Sequence, residues 1–132
     1  MTDIEYIRYL RQTAIALKFS FPPEFRRYGL RRLLRCFNGI GAEWMPAKVR
    51  GFLTSLFFRL QAAALIHDFE FTYGRKSYCR FTSANVRFAY NSCRSRHPFS
   101  GAAGAILCQL FGWQAFRNGR ERTEQWNILT FS

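Results

Sequence analysis

Apolar residues recur at every third or fourth position along most of the chain, which is the period of an amphipathic helix. A first helix is predicted from Asp3 to about Leu17, where the apolar positions are Ile4, Ile7, Leu10, Ala14 and Leu17. The paired prolines of the stretch SFPPEF remove backbone donors and end this helix. A second helix is predicted from about Pro23 to Cys36, with leucines along one side and arginines along another.

The middle of the chain continues the same period after the glycine-containing loop FNGIGAEWMP. From Ala47 to about Phe71 the apolar residues indicate one long helix, or two helices with a break near residues 59–61. Gly74 marks the turn that follows. The stretch ANVRFAYNSCRSR predicts a fourth helix, with Thr82 or Ser83 as its N-cap.

A fifth helix is predicted to start at a Ser100 cap and to stop at Asn118-Gly119. Its inward face is expected to carry four large apolar residues: Ile106, Leu107, Leu110 and Phe111. Strand-like alternation and internal repeats are absent from the sequence. We therefore predict an all-α fold: a compact bundle of about five helices in one domain, residues 1–132, with a tail over about 120–132.

The most apolar stretch, GFLTSLFFRLQAAALI, is interrupted by Arg59 and Gln61 and falls short of a membrane span. The N-terminus carries Asp3 and Glu5 where a signal peptide would carry only positive charge. Four widely spaced cysteines lack metal-finger spacing and favour reduced, buried thiols. These features predict a cytoplasmic protein without a signal peptide, able to act peripherally at a membrane.

The formal net charge is +12, and arginine supplies 17 of the 20 basic residues. Acidic residues are absent between Phe71 and Gly119. Because the guanidinium group binds phosphate and carboxylate bidentately, the candidate partners are an anionic phospholipid surface, an acidic host protein or, from charge alone, nucleic acid. A solvated basic surface without a dedicated partner is the competing interpretation. The candidate anion-binding residues are Arg27, Arg31, Arg35, Arg87 and Arg94.

The candidate chemistry centres on His67 and Asp68, which follow one another in the predicted long helix. Adjacent helical residues point about 100° apart, so the two side chains face different neighbours and serve two tasks. One arrangement that needs this divergence is an imidazole that activates water beside a carboxylate that holds a cation. A purely structural His-Asp pair, and a transition-metal site of His67 with Glu70, are the alternatives.

A hard cation such as calcium needs six to eight oxygen ligands, so backbone carbonyls must supplement a single carboxylate. The loop FNGIGAE is suited to this, since Phe37, Gly39 and Gly41 alternate and glycine lets carbonyls turn toward an ion.

Three pieces of the sequence together resemble the phospholipase A2 superfamily, particularly its small, disulfide-poor bacterial, phage and prophage forms. They are the Gly39-Ile40-Gly41 loop, the HDFEF stretch that begins at His67, and the NVRF step that supplies Asn85 and Phe88. The resemblance covers about residues 37–93.

The resemblance implies a calcium-dependent phospholipid ester hydrolase. His67 would be the general base and Asp68 the bidentate calcium ligand. The backbone carbonyls of Phe37, Gly39 and Gly41 would complete the ion's shell. Asn85 stands where an aspartate would orient the imidazole.

Two positions depart from the family pattern. Phe71 stands where a tyrosine hydroxyl helps to hold the supporting aspartate, and that aspartate is replaced by Asn85. An amide accepts a hydrogen bond from the imidazole but does not stabilise an imidazolium by charge. The alternative is therefore a catalytically degenerate protein whose arginine-rich surface binds a host protein or nucleic acid.

Overall fold

The computed structural model describes residues 2–37, 46, 48 and 58–121, apart from the side chain of Phe58. Within these ranges the chain forms seven helices and no strand. They are α1 (Asp3–Ala16), α2 (Pro23–Arg27), α3 (Leu30–Cys36), α4 (Phe58–Thr72), α5 (Tyr78–Arg94), α6 (Pro98–Phe111) and α7 (Trp113–Asn118). The predicted all-α class is confirmed.

Local sequence signals explain where α1 and α5 begin. Thr2 and Glu5 form a reciprocal capping box at the start of α1, in which each side chain accepts from the other residue's backbone N–H. Ser77 caps α5 by accepting from the backbone N–H of Arg80. Thr82, which was predicted as a cap, lies within the second turn of α5, so that boundary was wrong.

The predicted second helix is two short helices, because Tyr28 and Gly29 between them are extended, with ψ near 140°. The ring of Tyr28 packs edge-on against Phe69 and Tyr73, which favours the interruption. The predicted fifth helix is also divided. It starts at Pro98 rather than after Ser100, and Gly112 separates α6 from α7.

Helix α4 lies at the centre of the described structure. Every residue from Leu60 to His67 is buried, including Gln61, so this helix meets neighbours on nearly all sides. Helices α1 and α3 pack on one side of it, and α5 packs antiparallel on another after the turn at Gly74. The part of the predicted long helix before Phe58 lies outside the described residues, apart from position 48.

Helix α6 packs on α5 through small residues. A Cβ atom on Gly101 would lie 1.9 Å from the Cβ of buried Ser92, and one on Gly104 would lie 3.3 Å from the ring of Phe88. This close approach turns the large apolar side chains of α6 outward. The predicted inward face was therefore wrong: the exposed fractions are 59% for Ile106, 57% for Leu107, 67% for Leu110 and 78% for Phe111.

None of the helices that the structure describes is long and apolar enough to cross a bilayer. The predicted tail lies, from residue 122 onward, outside the described part of the chain.

Candidate functional site

The buried imidazole of His67 on α4 contacts the amide of Asn85 on α5. The distance from His67 Nε2 to Asn85 Oδ1 is 2.8 Å. One helical turn away, the rings of Phe71 and Phe81 pack in the register that antiparallel α4 and α5 require. The structure thus brings together the two residues that the sequence suggested as base and orienting partner.

The Asn85 amide also bonds to a third helix. Its Nδ2 donates to Gln109 Oε1 on α6 over 2.8 Å. The Gln109 Nε2 donates in turn to the hydroxyl groups of Tyr78, at 3.2 Å, and Thr82, at 3.1 Å. The sequence reasoning missed these three residues, although Gln109 is the only amide in a helix that has no charged residue.

The orientation of the two amides in this chain of bonds assigns the roles of the imidazole nitrogens. Because Nδ2 of Asn85 is directed at Gln109, the atom facing His67 is the acceptor Oδ1. His67 therefore donates from Nε2 and carries its lone pair on Nδ1. The histidine is held as the tautomer whose Nδ1 accepts a proton.

Aromatic rings surround the His67 imidazole. Phe71 lies 4.2 Å away and Phe88 lies 5.1 Å away, measured between ring centroids. Burial in this setting lowers the pKa of His67 to about 4, and the hydrogen bond to Asn85 offsets only part of that effect. His67 is consequently neutral at pH 7.

Asp68 is half-buried and points to a different side of α4 from His67. Burial raises the pKa of the Cys108 thiol on α6, and the charge of Asp68 adds to that rise, so the carboxylate lies near α6. Thr72, one turn after Asp68, donates from Oγ1 to Cys36 Sγ over 3.0 Å. The end of α3, where Phe37 is the C-cap, therefore adjoins the same part of α4.

The structure describes two of the four residues that the resemblance implies as calcium ligands. Asp68 and Phe37 belong to neighbouring elements, and carboxylate and carbonyl oxygens are the donors that calcium prefers. Gly39 and Gly41 lie outside the described residues. Within the described ranges, no three side chains among His, Cys, Asp and Glu converge as a metal-binding group.

Glu70 makes an ion pair with Arg87 of α5. Its Oε1 is the paired atom, whereas Oε2 is buried without a hydrogen-bond partner in the described structure. Burial raises the pKa of Glu70 to about 7, although the positive charges of Arg87 and Arg80 act to lower it. Glu70 therefore takes up a proton more readily than an exposed glutamate does.

The five candidate anion-binding arginines lie in different settings. Arg27 is exposed on α2, and Arg31 and Arg35 are exposed one turn apart on α3, so the arginines predicted to lie along one side of a single helix are divided between two helices. Arg87 is engaged by Glu70. Arg94 is exposed and donates from Nε to the carbonyl of Leu17 over 3.0 Å.

Arg32, which the sequence reasoning did not select, forms an ion pair of 2.9 Å with Glu121 and lies 4.2 Å above the Tyr28 ring. A shallow, open depression of about 490 Å³ runs along α5, and Arg87 contributes its one charged side chain. Its lining residues are Ser20, Thr82, Ser83, Val86, Arg87 and Tyr90.

Comparison of the chain with protein-family models, with curated proteins and with solved structures found no match.

Proposed function

We propose that this chain is a calcium-dependent phospholipid ester hydrolase of the phospholipase A2-like type, with His67 as general base and Asp68 as calcium ligand. The observation that carries the proposal is the 2.8 Å contact between His67 Nε2 and Asn85 Oδ1. In this proposal the contact orients a neutral imidazole, and its Nδ1 lone pair acts as the base.

In the proposed reaction, Nδ1 of His67 takes a proton from a water molecule as its oxygen attacks the ester carbonyl. The tetrahedral intermediate then breaks its bond to the alcohol oxygen, and that oxygen takes the proton back from the imidazolium. The products are a fatty acid and a lysophospholipid. Bound calcium would supply positive charge for the lipid phosphate and the developing oxyanion, held by Asp68 and by the carbonyls of Phe37, Gly39 and Gly41.

Asn85 limits the proposed activity. The imidazolium formed during the reaction is buried among aromatic rings, and its partner is a neutral amide rather than a carboxylate. Burial without a countercharge disfavours that cation, so we expect slow turnover. The substrate would be presented as an anionic phospholipid surface, which the net charge of +12 attracts.

The test is fatty-acid release from phosphatidylglycerol vesicles with and without a calcium chelator. Release should require calcium and should be lost in His67→Ala and in Asp68→Asn. His97→Ala, at the other histidine of the chain, and Glu24→Gln, at an exposed acid on α2, are the matched controls and should keep activity. Titration calorimetry that finds no calcium binding to the wild-type protein would overturn the proposal.

The alternative is a degenerate protein whose basic surface binds a host protein or nucleic acid. The observation that favours it is the exposed pair Arg31 and Arg35 on α3. Affinity for DNA that falls steeply with salt, and falls further in Arg31→Glu/Arg35→Glu, would support the nucleic-acid form of this alternative. The form in which a host protein is the partner would be supported by a host protein that stays bound after nuclease treatment. That protein should also bind the His67→Ala variant.

A further inference from the structure

Helix α6 has apolar residues on two faces. One face packs against α5, and the other is exposed. Most residues of the inner face are small, and Gly101 and Ala105 are buried there, while Gln109 adds the amide that bonds to α5. The outer face carries large residues that stay in solvent. We define the α6 outer face as Phe99, Ile106, Leu107, Leu110 and Phe111, with exposed fractions from 57% to 89%.

Such a face is unusual on a protein surface. It runs the length of α6, about 18 Å for the twelve residue steps from Phe99 to Phe111. The sequence of α6, PFSGAAGAILCQLF, contains no charged residue. Contiguous exposed apolar surface of this kind marks a binding surface.

Exposed arginines precede and follow α6 along the chain. Arg94 and Arg96 are exposed just before α6, and Arg117 and Arg120 are exposed on and after α7. The sequence has no acidic residue between Phe71 and Gly119 to offset them. An apolar helix face flanked by arginines is the pattern of a helix that lies in the plane of an anionic bilayer.

A second copy of this chain fits the face less well. In a twofold antiparallel pairing of two α6 helices, the arginines before α6 in one copy would approach the arginines after α6 in the other. Each copy also carries a net charge of +12. Repulsion between like charges opposes that pairing, whereas an anionic lipid surface is complementary to it.

We infer that the α6 outer face docks the protein on anionic lipid bilayers, with its apolar side chains among the acyl chains and the flanking arginines at the headgroups. This docking deepens the proposed hydrolase function, and its biological purpose rests on that function. Vesicle binding is nevertheless measurable without hydrolysis. The two proposals therefore fail separately.

The experiment measures binding of the full chain to phosphatidylcholine vesicles with and without phosphatidylglycerol, in the presence of a calcium chelator. Wild type should sediment with the anionic vesicles, should bind pure phosphatidylcholine at least about tenfold more weakly, and should be released by salt. Leu107→Gln/Leu110→Gln removes apolar surface without changing charge and should weaken anionic-vesicle binding by about tenfold or more. Both positions are more than half exposed, so the fold should be retained.

The matched control is Val86→Gln, at an apolar residue on α5 that is 64% exposed but outside the α6 outer face. It should bind vesicles as wild type does. The inference is overturned if the wild-type protein does not bind anionic vesicles at low salt. It is also overturned if the double variant binds them with the affinity of the wild type. It is equally overturned by a wild-type dimer in sedimentation equilibrium that the double variant dissociates, since the face would then join two copies. His67→Ala that binds vesicles but releases no fatty acid would leave the docking intact.

Discussion

Asn85 Nδ2 donates to Gln109 Oε1 over 2.8 Å, and in this orientation the Asn85 side chain presents its Oδ1 to His67. In the phospholipase A2 pattern that the sequence resembles, an aspartate stands at this position and is supported by donors such as a tyrosine hydroxyl. An asparagine in that place has an N–H group that needs an acceptor, and Gln109 is that acceptor. The side chain of Asn85 is therefore part of an ordered polar network that links His67 to Gln109.

Gln109→Leu should free the Asn85 amide to rotate. We expect the protein to lose about 1 to 3 kcal/mol of unfolding free energy, because a buried N–H is left without an acceptor. The imidazole should also no longer be confined to the tautomer protonated at Nε2, and any fatty-acid release should fall by about tenfold or more. Nitrogen-15 NMR of the His67 ring reports the tautomer directly.

Gln114→Leu, at an exposed glutamine on α7, is the control for that substitution. It makes the same chemical change outside the network and should leave the tautomer unaltered. A single Nε2-protonated tautomer in Gln109→Leu would show that Gln109 has no positioning role, whatever its effect on stability.

Asn85→Asp should raise the pKa of His67 from about 4, because a carboxylate next to the imidazolium stabilises the charged form. NMR titration of the His67 C2 proton measures this pKa. If His67 is the base of the proposed reaction, hydrolysis should also become faster. Asn118→Asp adds the same charge at an exposed site and should leave the pKa in place. An unchanged His67 pKa in Asn85→Asp would mean that the side chains separate in solution.

The pH dependence of stability should contain two opposing contributions. The folded-state pKa of His67 is depressed to about 4 from 6.5, so its stabilising contribution is present above pH 6.5 and is lost as pH falls toward 4. The folded-state pKa of Glu70 is raised to about 7 from 4.5, so its contribution is present below pH 4.5 and is lost as pH rises through 7. Between about pH 4.5 and 6.5, stability rises with pH because of His67 and falls with pH because of Glu70, and these two changes largely cancel.

Glu70→Gln should reveal how His67 alone makes the stability of the protein depend on pH. Urea unfolding of this variant should show stability falling with acid between pH 6.5 and 4.5, by about 1 kcal/mol per pH unit, whereas wild type changes little. The variant should also gain stability relative to wild type at pH 8. Glu24→Gln, at an exposed acid, should reproduce the wild-type profile. Parallel profiles for Glu70→Gln and wild type would place the pKa of Glu70 near its ordinary value.

The helical period of the sequence predicts that α1, α4 and α5 exist, because each must bury one apolar face. It does not predict the interruptions at Gly29 and Gly112, where the neighbouring Tyr28 and Trp113 pack on rings that are distant in sequence. The pairing of His67 with Asn85 was suggested by the order of motifs, and the structure brings the two side chains within hydrogen-bond distance. Gln109 was missed because its partners lie 24 to 31 residues away along the chain.

The orientation of α6 shows a different limit of sequence reasoning. Periodicity identifies an apolar face, but α6 has two of them, and only the steric fit to α5 decides which one is buried. Small residues at Gly101 and Ala105 allow an approach that the leucine face does not. The wrong prediction for Ile106, Leu107, Leu110 and Phe111 follows from choosing the larger face.

Gly101→Ala tests whether this close approach holds α6 on α5. The new methyl carbon would lie 1.9 Å from the Cβ of Ser92, whose side chain is fully buried and donates to the Phe88 carbonyl over 2.6 Å. The contact forces the two helices apart, and we expect a loss of about 1 to 3 kcal/mol or more in chemical denaturation. Gly104→Ala is the matched control: its nearest neighbour is a ring carbon of Phe88 at 3.3 Å, and alanine favours the helix. It should be close to neutral, and equal losses for the two variants would contradict a packing role specific to Gly101.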